Sequence, residues 1–269
     1  VPACEYKSDC HTLVQITDSH LFASPDESLL GLPTGESLKA VVELVRAEQQ
    51  NVDLILATGD VSQDASVAAY RRFVELTGPI GAPMRWLPGN HDDARTQLAC
   101  SAGQDWMQAV TDLPGWRVLF LDSAVPGRVH GYLAPEQLDL LEQALGSAGE
   151  RHVLVCLHHH PVPTGSTWLD AIGLRNADEF FAVLDRFAGV RAVLWGHIHQ
   201  EVDRVRKGVR LLASPSTCIQ FAPASSDFAL DTQLPGYRWL RLYPDGRIET
   251  AVSRLQQLDY TIDYSGSGY

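Results

Sequence analysis

The chain has no apolar stretch approaching the ~18 residues of a membrane span, and no membrane partner is expected from it. Positive charge is scarce. Lys and Arg total 21 against 33 Asp and Glu, for a formal net charge of −12 and a pI of about 5.2. That balance argues against a nucleic-acid backbone or an anionic lipid surface as partner. Cysteine is sparse and odd in number: Cys4, Cys10, Cys100, Cys156 and Cys218 follow neither a disulfide framework nor a zinc spacing. Cys156, inside the apolar run Val153–Leu157, reads as a small buried thiol. Cys4-x5-Cys10-His11 offers a metal knuckle on paper, but two reduced thiols are the simpler reading. Val1-Pro2-Ala3-Cys4-Glu5-Tyr6 has neither the basic region nor the apolar core of a signal peptide, so a reduced, cytoplasmic protein is expected. Linkers, repeats and low-complexity tracts are also missing, which leaves residues 1–269 as one expected domain.

What is present is an ordinary globular composition, 45% hydrophobic and 20% charged, with enough length for a sizeable core. The first two-thirds alternates strand and helix signals. Strands are expected at Thr12–Thr17, Asp53–Thr58, Pro83–Leu87, Trp116–Leu121, Val153–Leu157 and Arg191–Trp195. Between them, Leu38, Val41, Val42 and Val45 follow helical spacing with Thr34 as candidate N-cap. Tyr70, Phe73 and Val74 suggest a second helix, Pro135 opens a third, and Asn176 is placed to cap a fourth carrying Phe180, Val183, Leu184 and Phe187. From about 196 to 254 the chain reads as strands and turns, with Asp245-Gly246 as a hairpin turn. A largely antiparallel second sheet and a mobile tail to 269 are the expectation.

Five polar fragments recur at the ends of strand-like runs. They are Asp18-Ser19-His20, Gly59-Asp60, Gly89-Asn90-His91-Asp92, His158-His159-His160-Pro161 and Gly196-His197-Ile198-His199. Together they supply hard and borderline metal ligands where open α/β sheets collect binding groups. Residues two apart in an extended segment face one side, so Asp18 with His20, and His197 with His199, can each address one site. Glycines 59, 89 and 196 allow a sharp turn after a strand and close backbone approach. Two cations about 3.5–4 Å apart need a shared anion, and Asp60 is the natural bridge. Each fragment alone is a weak signal; five in order are hard to explain structurally.

These fragments, with H-x-P at 159–161, resemble the calcineurin-like metallophosphoesterase superfamily. The flanking text, Gln15–Phe22, Trp86–Asp92, Leu157–Pro161, Trp195–Gln200 and Ser214–Cys218, is most similar to the bacterial class III 3′,5′-cyclic AMP phosphodiesterases. The resemblance implies an α/β fold with four layers, α/β/β/α. It implies one metal held by Asp18, His20, Asp60 and His199, and another held by Asp60, Asn90, His159 and His197. His159 is selected as the histidine two before Pro161. Iron with manganese, two manganese ions, or zinc would suit the set.

The implied reaction opens cyclic AMP at its 3′ oxygen to give 5′-AMP. A water between two cations loses a proton near neutral pH and attacks phosphorus. His91 would stabilise the transition state or protonate the leaving alkoxide, with Asp92 orienting it or serving only as a turn carboxylate. The substrate would meet His20, Asp60, Asn90, His91 and His199. Trp168 could stack on the base and Arg175 could meet phosphate, with core packing or capping as the alternative for both, and Thr217 could approach the site with Ser216 and Cys218. His158 and His160 are left between supporting roles and none, and His11, His130 and His152 are read as surface or structural. Alternatives are a broad phosphodiesterase acting on glycerophosphodiesters, 2′,3′-cyclic nucleotides or aryl esters, and a silent metal-binding nucleotide sensor or scaffold. Oligomeric state is not legible.

Overall fold

The structure is a computed structural model and describes residues 10–266 and 268. Cys4, and with it the Cys4–Cys10 pair, lies outside the described residues, as do Ser267 and Tyr269. In chain order the elements are β1 (His11–Ile16), the two-residue hairpin β2 (Ser28–Leu29) and β3 (Leu32–Pro33), α1 (Thr34–Glu48), β4 (Leu54–Ala57), α2 (Val67–Thr77), β5 (Met84–Trp86), α3 (Ala94–Cys100), β6 (Val110–Leu113) and β7 (Trp116–Phe120). Next come α4 (Pro135–Gly146), β8 (His152–Cys156), α5 (Thr167–Asp170), α6 (Ala177–Leu184), β9 (Val190–Trp195), β10 (Val202–Arg206) and β11 (Val209–Ala213). The short pair β12 (Gln220–Phe221) and β13 (Leu230–Asp231) precedes β14 (Gly236–Leu242) and β15 (Ile248–Arg254).

Two large sheets form, in the orders β15-β14-β1-β4-β5 and β10-β11-β9-β8-β7-β6, beside the two-stranded pairs β2-β3 and β12-β13. Alternation along the strands makes the layers. Leu13, Leu54 and Leu56 face Leu154, Cys156 and Leu194 between the sheets. Their sequence neighbours Val14, Ile55 and Ala57 face α1 and α2, packing on Leu38, Val41, Val45, Tyr70 and Phe73. On the far side Val153, Val155 and Val193 pack on Leu141, Leu145, Phe180 and Leu184 of α4 and α6. This is the expected four-layer α/β/β/α order.

Apart from the two-stranded pair β12–β13, the strands after residue 196 join the two large sheets rather than building one of their own. β10 and β11 extend the second sheet, where β11 runs parallel to β9, while β14 and β15 extend the first beside β1. Two caps also differ from expectation. Thr34 lies inside α1, preceded by Pro33 without a side-chain cap. Asn176 precedes α6, but its amide pairs with both backbone groups of Leu133, at 3.0 and 2.9 Å. The tail is anchored in part: Ile262 is buried in the α4–α6 core layer, and Asp263 N–H donates to the Leu30 carbonyl at 2.8 Å. Among the described residues no helix is long and apolar enough to cross a membrane.

Candidate metal centre

The parallel strands β1, β4 and β5 of one sheet, and β8 and β9 of the other, deliver all five polar fragments to one end of the sandwich. The fragments are not extended there. Asp18 (φ 54°), His20 (46°), Asp60 (47°), His197 (67°) and His199 (48°) are all left-handed. That region costs a non-glycine residue roughly 1–2 kcal/mol, and Asp, Asn and His tolerate it best. Cross-loop bonds fix the shape: Asp18 N–H donates to Gly59 O at 3.0 Å, His20 N–H to Asp60 O at 2.9 Å and Leu21 N–H to Val61 O at 3.0 Å. The loops touch closely at glycine. A Cβ on Gly89 would lie 2.5 Å from the Asp60 backbone nitrogen, and one on Gly59 (φ 98°) would lie 2.8 Å from His158 Cγ.

In one half of the centre, His20 Nε2 and His199 Nε2 face each other at 3.3 Å. Asp18 Oδ1 is 3.4 Å from His199 Nε2, and Asp60 Oδ2 is 3.8 Å from His20 Nε2. The outer ring nitrogens fix the tautomers. His20 Nδ1 bonds Gln63 Oε1 at 2.6 Å and His199 Nδ1 bonds the Ile219 carbonyl at 2.8 Å. Both acceptors are carbonyl oxygens, so Nδ1 carries the proton and each Nε2 turns a lone pair inward. Two lone pairs and two carboxylate oxygens converging in a buried site repel one another unless a cation lies among them.

In the other half, His158 Nε2 lies 3.2 Å from Asp60 Oδ2 and 3.3 Å from Asn90 Oδ1, while its Nδ1 donates to the Thr58 carbonyl at 2.8 Å. His197 donates from Nε2 to the Ile172 carbonyl at 3.2 Å, which leaves Nδ1 as its acceptor nitrogen. His158, His159 and His197 each have a ring nitrogen within 4.8 Å of the others, and Asp60 belongs to groups in both halves. At His159 the geometry departs from the H-x-P expectation. Its Nδ1 accepts from Ser123 Oγ at 2.8 Å and its Nε2 donates to Val129 O at 3.1 Å, so both nitrogens are engaged by protein. The histidine aimed at Asp60 and Asn90 is His158.

Charge and burial reinforce this picture. Burial opposes charge on Asp60, but His158 and His91 beside it hold its carboxyl well below the usual range. Burial also opposes charge on His158, yet Asp60 and Asp18 raise it to about 9. A proton or a metal ion at His158 Nε2 answers the same need for positive charge next to Asp60. Burial pushes His20 down to about 3 and His160 to about 4. Asp18 has a further support on its outer oxygen. Arg238, 1% exposed, donates to Ser214 Oγ at 3.2 Å; Ser214 donates to Gln15 Oε1. Gln15 Nε2 donates to Thr58 Oγ1 at 2.7 Å, Thr58 to Thr17 Oγ1 at 2.8 Å, and Thr17 to Asp18 Oδ2 at 2.7 Å. Arginine only donates and a carboxylate only accepts, so the chain has one direction. It occupies Oδ2 and leaves Oδ1 facing His199.

The remaining candidates sort by position. His91 lies over the centre, with its ring 4.9 Å from that of His20 and its N–H on Asp60 Oδ1 at 2.9 Å. Asp92 grips backbone: it accepts from Gly89, Val61 and Ser62 at 2.9, 3.2 and 3.0 Å, tying two loops together. Burial and then Asp60 raise it to about 6. Trp168 lines a cleft of about 280 Å³ with Asp60, Asn90, His91, His199, Phe221 and Phe228. Arg175 is exposed and donates to Ala171 O at 2.7 Å, away from that lining. Thr217 is fully buried and bonds Ser19 Oγ at 2.9 Å, while Ser216 Oγ and Cys218 Sγ both donate to Asp18 O; these residues buttress the Asp18 loop from behind. Phe221, stacked on His199 at 4.1 Å, and Gln63 carried no motif of their own. His11 and His152 fit the surface or structural reading, bonded to the carbonyls of Pro114 at 2.9 Å and Pro244 at 3.2 Å.

Residues 11–201 match the calcineurin-like phosphoesterase family. The chain is 55% identical over 257 residues to the 3′,5′-cyclic adenosine monophosphate phosphodiesterase CpdA of Pseudomonas aeruginosa, covering 96% of this chain and 94% of that protein. It is 49% identical over 259 residues to the protein of the same name from Escherichia coli (strain K12), covering 96% and 94%. Among solved structures, a dimetal phosphatase from Danio rerio superposes with a TM-score of 0.64 at 17% identity, over 91% of this chain and 98% of that one. That likeness speaks to the fold alone. The identity and coverage of the relatives, with the matched domain, establish that this chain belongs to the calcineurin-like phosphoesterase family.

Proposed function

We propose that this protein hydrolyses 3′,5′-cyclic AMP to 5′-AMP at a centre for two divalent metals. The observation that carries the reading is the inward convergence of His20 Nε2 and His199 Nε2 at 3.3 Å, with both outer nitrogens spent on carbonyl acceptors. The residues that would hold the first ion are Asp18, His20, Asp60 and His199. Those for the second are Asp60, Asn90, His158 and His197, with His158 in place of His159. Mixed nitrogen and oxygen ligands suit iron, manganese or zinc. When bound, such ions supply an acidified water and offset phosphate charge.

The chain's own groups do the rest. His91, half-buried over the centre, is placed to give a proton to the leaving 3′ oxygen as the P–O3′ bond breaks. The cleft beside it, walled by Trp168, Phe221 and Phe228, suits a flat base. The 44–55% identity to proteins named as cyclic AMP phosphodiesterases supports the substrate.

The test is steady-state kinetics of the manganese-loaded protein on 3′,5′-cyclic AMP, 3′,5′-cyclic GMP, 2′,3′-cyclic AMP and bis(p-nitrophenyl) phosphate, with product identified by chromatography. The highest kcat/KM is expected for 3′,5′-cyclic AMP. Turnover of the aryl ester without turnover of cyclic AMP would overturn the substrate assignment. His158→Ala should lower affinity for one ion by more than the ~10–100-fold typical of losing an outer partner, while His159→Ala should not exceed that range.

A further inference from the structure

His159 makes three contacts with one surface segment. Its Nδ1 and backbone N–H meet Ser123 Oγ at 2.8 and 3.2 Å, and its Nε2–H meets the Val129 carbonyl at 3.1 Å. The ring also lies against Gly131, where an added Cβ would be 2.6 Å from His159 Cβ. Tyr132 N–H donates to Ser123 O at 3.0 Å and closes residues 123–132 into a compact loop with adjoining ends.

The loop stands between two clefts that meet at Asn90. On one side Ala124, Val125, Pro126 and Gly127 line a space of about 490 Å³ whose other walls carry Asp93, Arg95 and Asp122. On the other side Val129 lines the aromatic cleft of about 280 Å³. A 3′,5′-cyclic phosphodiester has both ester oxygens on one sugar and needs one cleft. A linear phosphodiester sends two arms away from phosphorus and needs both.

We propose that His159 is a positioning residue that clips the 123–132 loop as the wall between these clefts, and so sets a preference for cyclic over linear phosphodiesters. The proposal rests on the phosphodiesterase reading above. Without the clip the loop keeps its closed ends but loses the bond at Val129, where it faces the base cleft. The wall then yields toward either side. Cyclic substrate loses its fitted surface, and the second arm of a linear substrate gains room. The proposed ligands keep their outer bonds to the Thr58, Ile172 and Ile219 carbonyls and to Gln63, and His158 and His197, whose rings lie 4.9 and 4.6 Å from that of His159, lose only its packing.

Two conservative variants separate the two ends of the clip. His159→Gln places an amide N–H near the Nε2 position and can keep the Val129 bond. His159→Asn places an oxygen near Nδ1 and can keep the Ser123 bond only. Kinetics on 3′,5′-cyclic AMP and bis(p-nitrophenyl) phosphate, metal content, and the rate of tryptic cleavage after the exposed Arg128 are measured for both, with His159→Ala and wild type. For Asn and Ala, KM for cyclic AMP should rise roughly tenfold with kcat changed less than about threefold, the pattern of lost uniform binding. Their cyclic-to-linear ratio of kcat/KM should fall by a similar factor, cleavage at Arg128 should quicken, and two metals should remain. Gln should stay near wild type in all four readouts. Equal behaviour of Gln and Asn, or loss of a metal in both, overturns the clip. Failure of the wild type on cyclic AMP would overturn the substrate reading instead, and the Arg128 cleavage order would still test the clip.

Discussion

Replacing Gly89 by alanine should cripple the centre without touching a ligand side chain. The new methyl would lie 2.5 Å from the Asp60 backbone nitrogen, 2.7 Å from its carboxyl carbon, and closer still to Oδ1. Ordinary contact needs about 3.5 Å, so the two loops must part by about 1 Å. Neither yields easily. Asp60 Oδ1 is bonded to His91 N–H, and Gly89 N–H is bonded to Asp92, which also holds Val61 and Ser62. The displacement falls on the carboxylate shared by both halves of the centre. Misplacement of that size at a reacting centre costs on the order of 10²-fold in rate. The assay is kcat on cyclic AMP with metal stoichiometry measured on the same sample. Gly78→Ala is the matched control: a Cβ there meets nothing within 4 Å and φ is −49°, so activity should hold and stability should change by less than about 1 kcal/mol. If Gly89→Ala keeps two metals and a rate within about threefold of wild type, the close approach is not what positions Asp60.

His91→Ala should retain both metals and lose ~10²–10⁴-fold in turnover of cyclic AMP, with a smaller loss on p-nitrophenyl esters, whose leaving group needs little protonation. Equal losses on both would point to charge stabilisation rather than proton transfer. Chelation should abolish activity, and manganese or ferrous iron should restore it better than magnesium, which prefers an all-oxygen octahedron; full recovery in magnesium alone would contradict a histidine-rich site. Asp185, pulled to about 2 by hydrogen bonds from Arg206 and then Lys207, contributes stability above its usual 3.8 that is lost as pH falls toward 2. Asp185→Asn should therefore cost at most about 1 kcal/mol in denaturant unfolding at pH 7, with the difference shrinking toward pH 2; a difference that grows on acidification would have the wrong sign.

The strand and helix alternation was legible in the apolar runs, while the four layers were implied by the family resemblance: Leu13 and Val14, or Leu154 and Val155, are equally apolar as text, and only packing sends them to different faces. The partition of the last strands was not legible. β10, β11, β14 and β15 look alike as text, and only the pairing of β14 with β1 and of β11 with β9 assigns them to different sheets. At the centre, the fragments named the loops and the glycines marked their close approaches. What no spacing rule held was which of three consecutive histidines turns inward. That is decided by the Thr58 carbonyl, 100 residues away, which orients His158, and by Ser123 and Val129, which engage His159. Thr217 and Arg175 stand near the right motifs in sequence, but one is buried behind Asp18 and the other is spent on Ala171. Phe221 and Phe228 reach the cleft from a stretch outside the five polar fragments.

The left-handed backbone at Asp18, His20, Asp60, His197 and His199 narrows the chemistry open to evolution or to a designer. On the proposed ligand set, each position must satisfy an ion and a torsion angle at once, and Asp, Asn and His are nearly the whole vocabulary that does both. Glutamate at 18 or cysteine at 20 could offer a sound donor atom yet would be opposed by its own main chain. Retuning this centre toward a softer or harder metal therefore has to proceed through the neighbours of the ligands. Gln63, Thr17 and the carbonyls of Thr58 and Ile219 are the positions where such a change can be made without rewriting the loops.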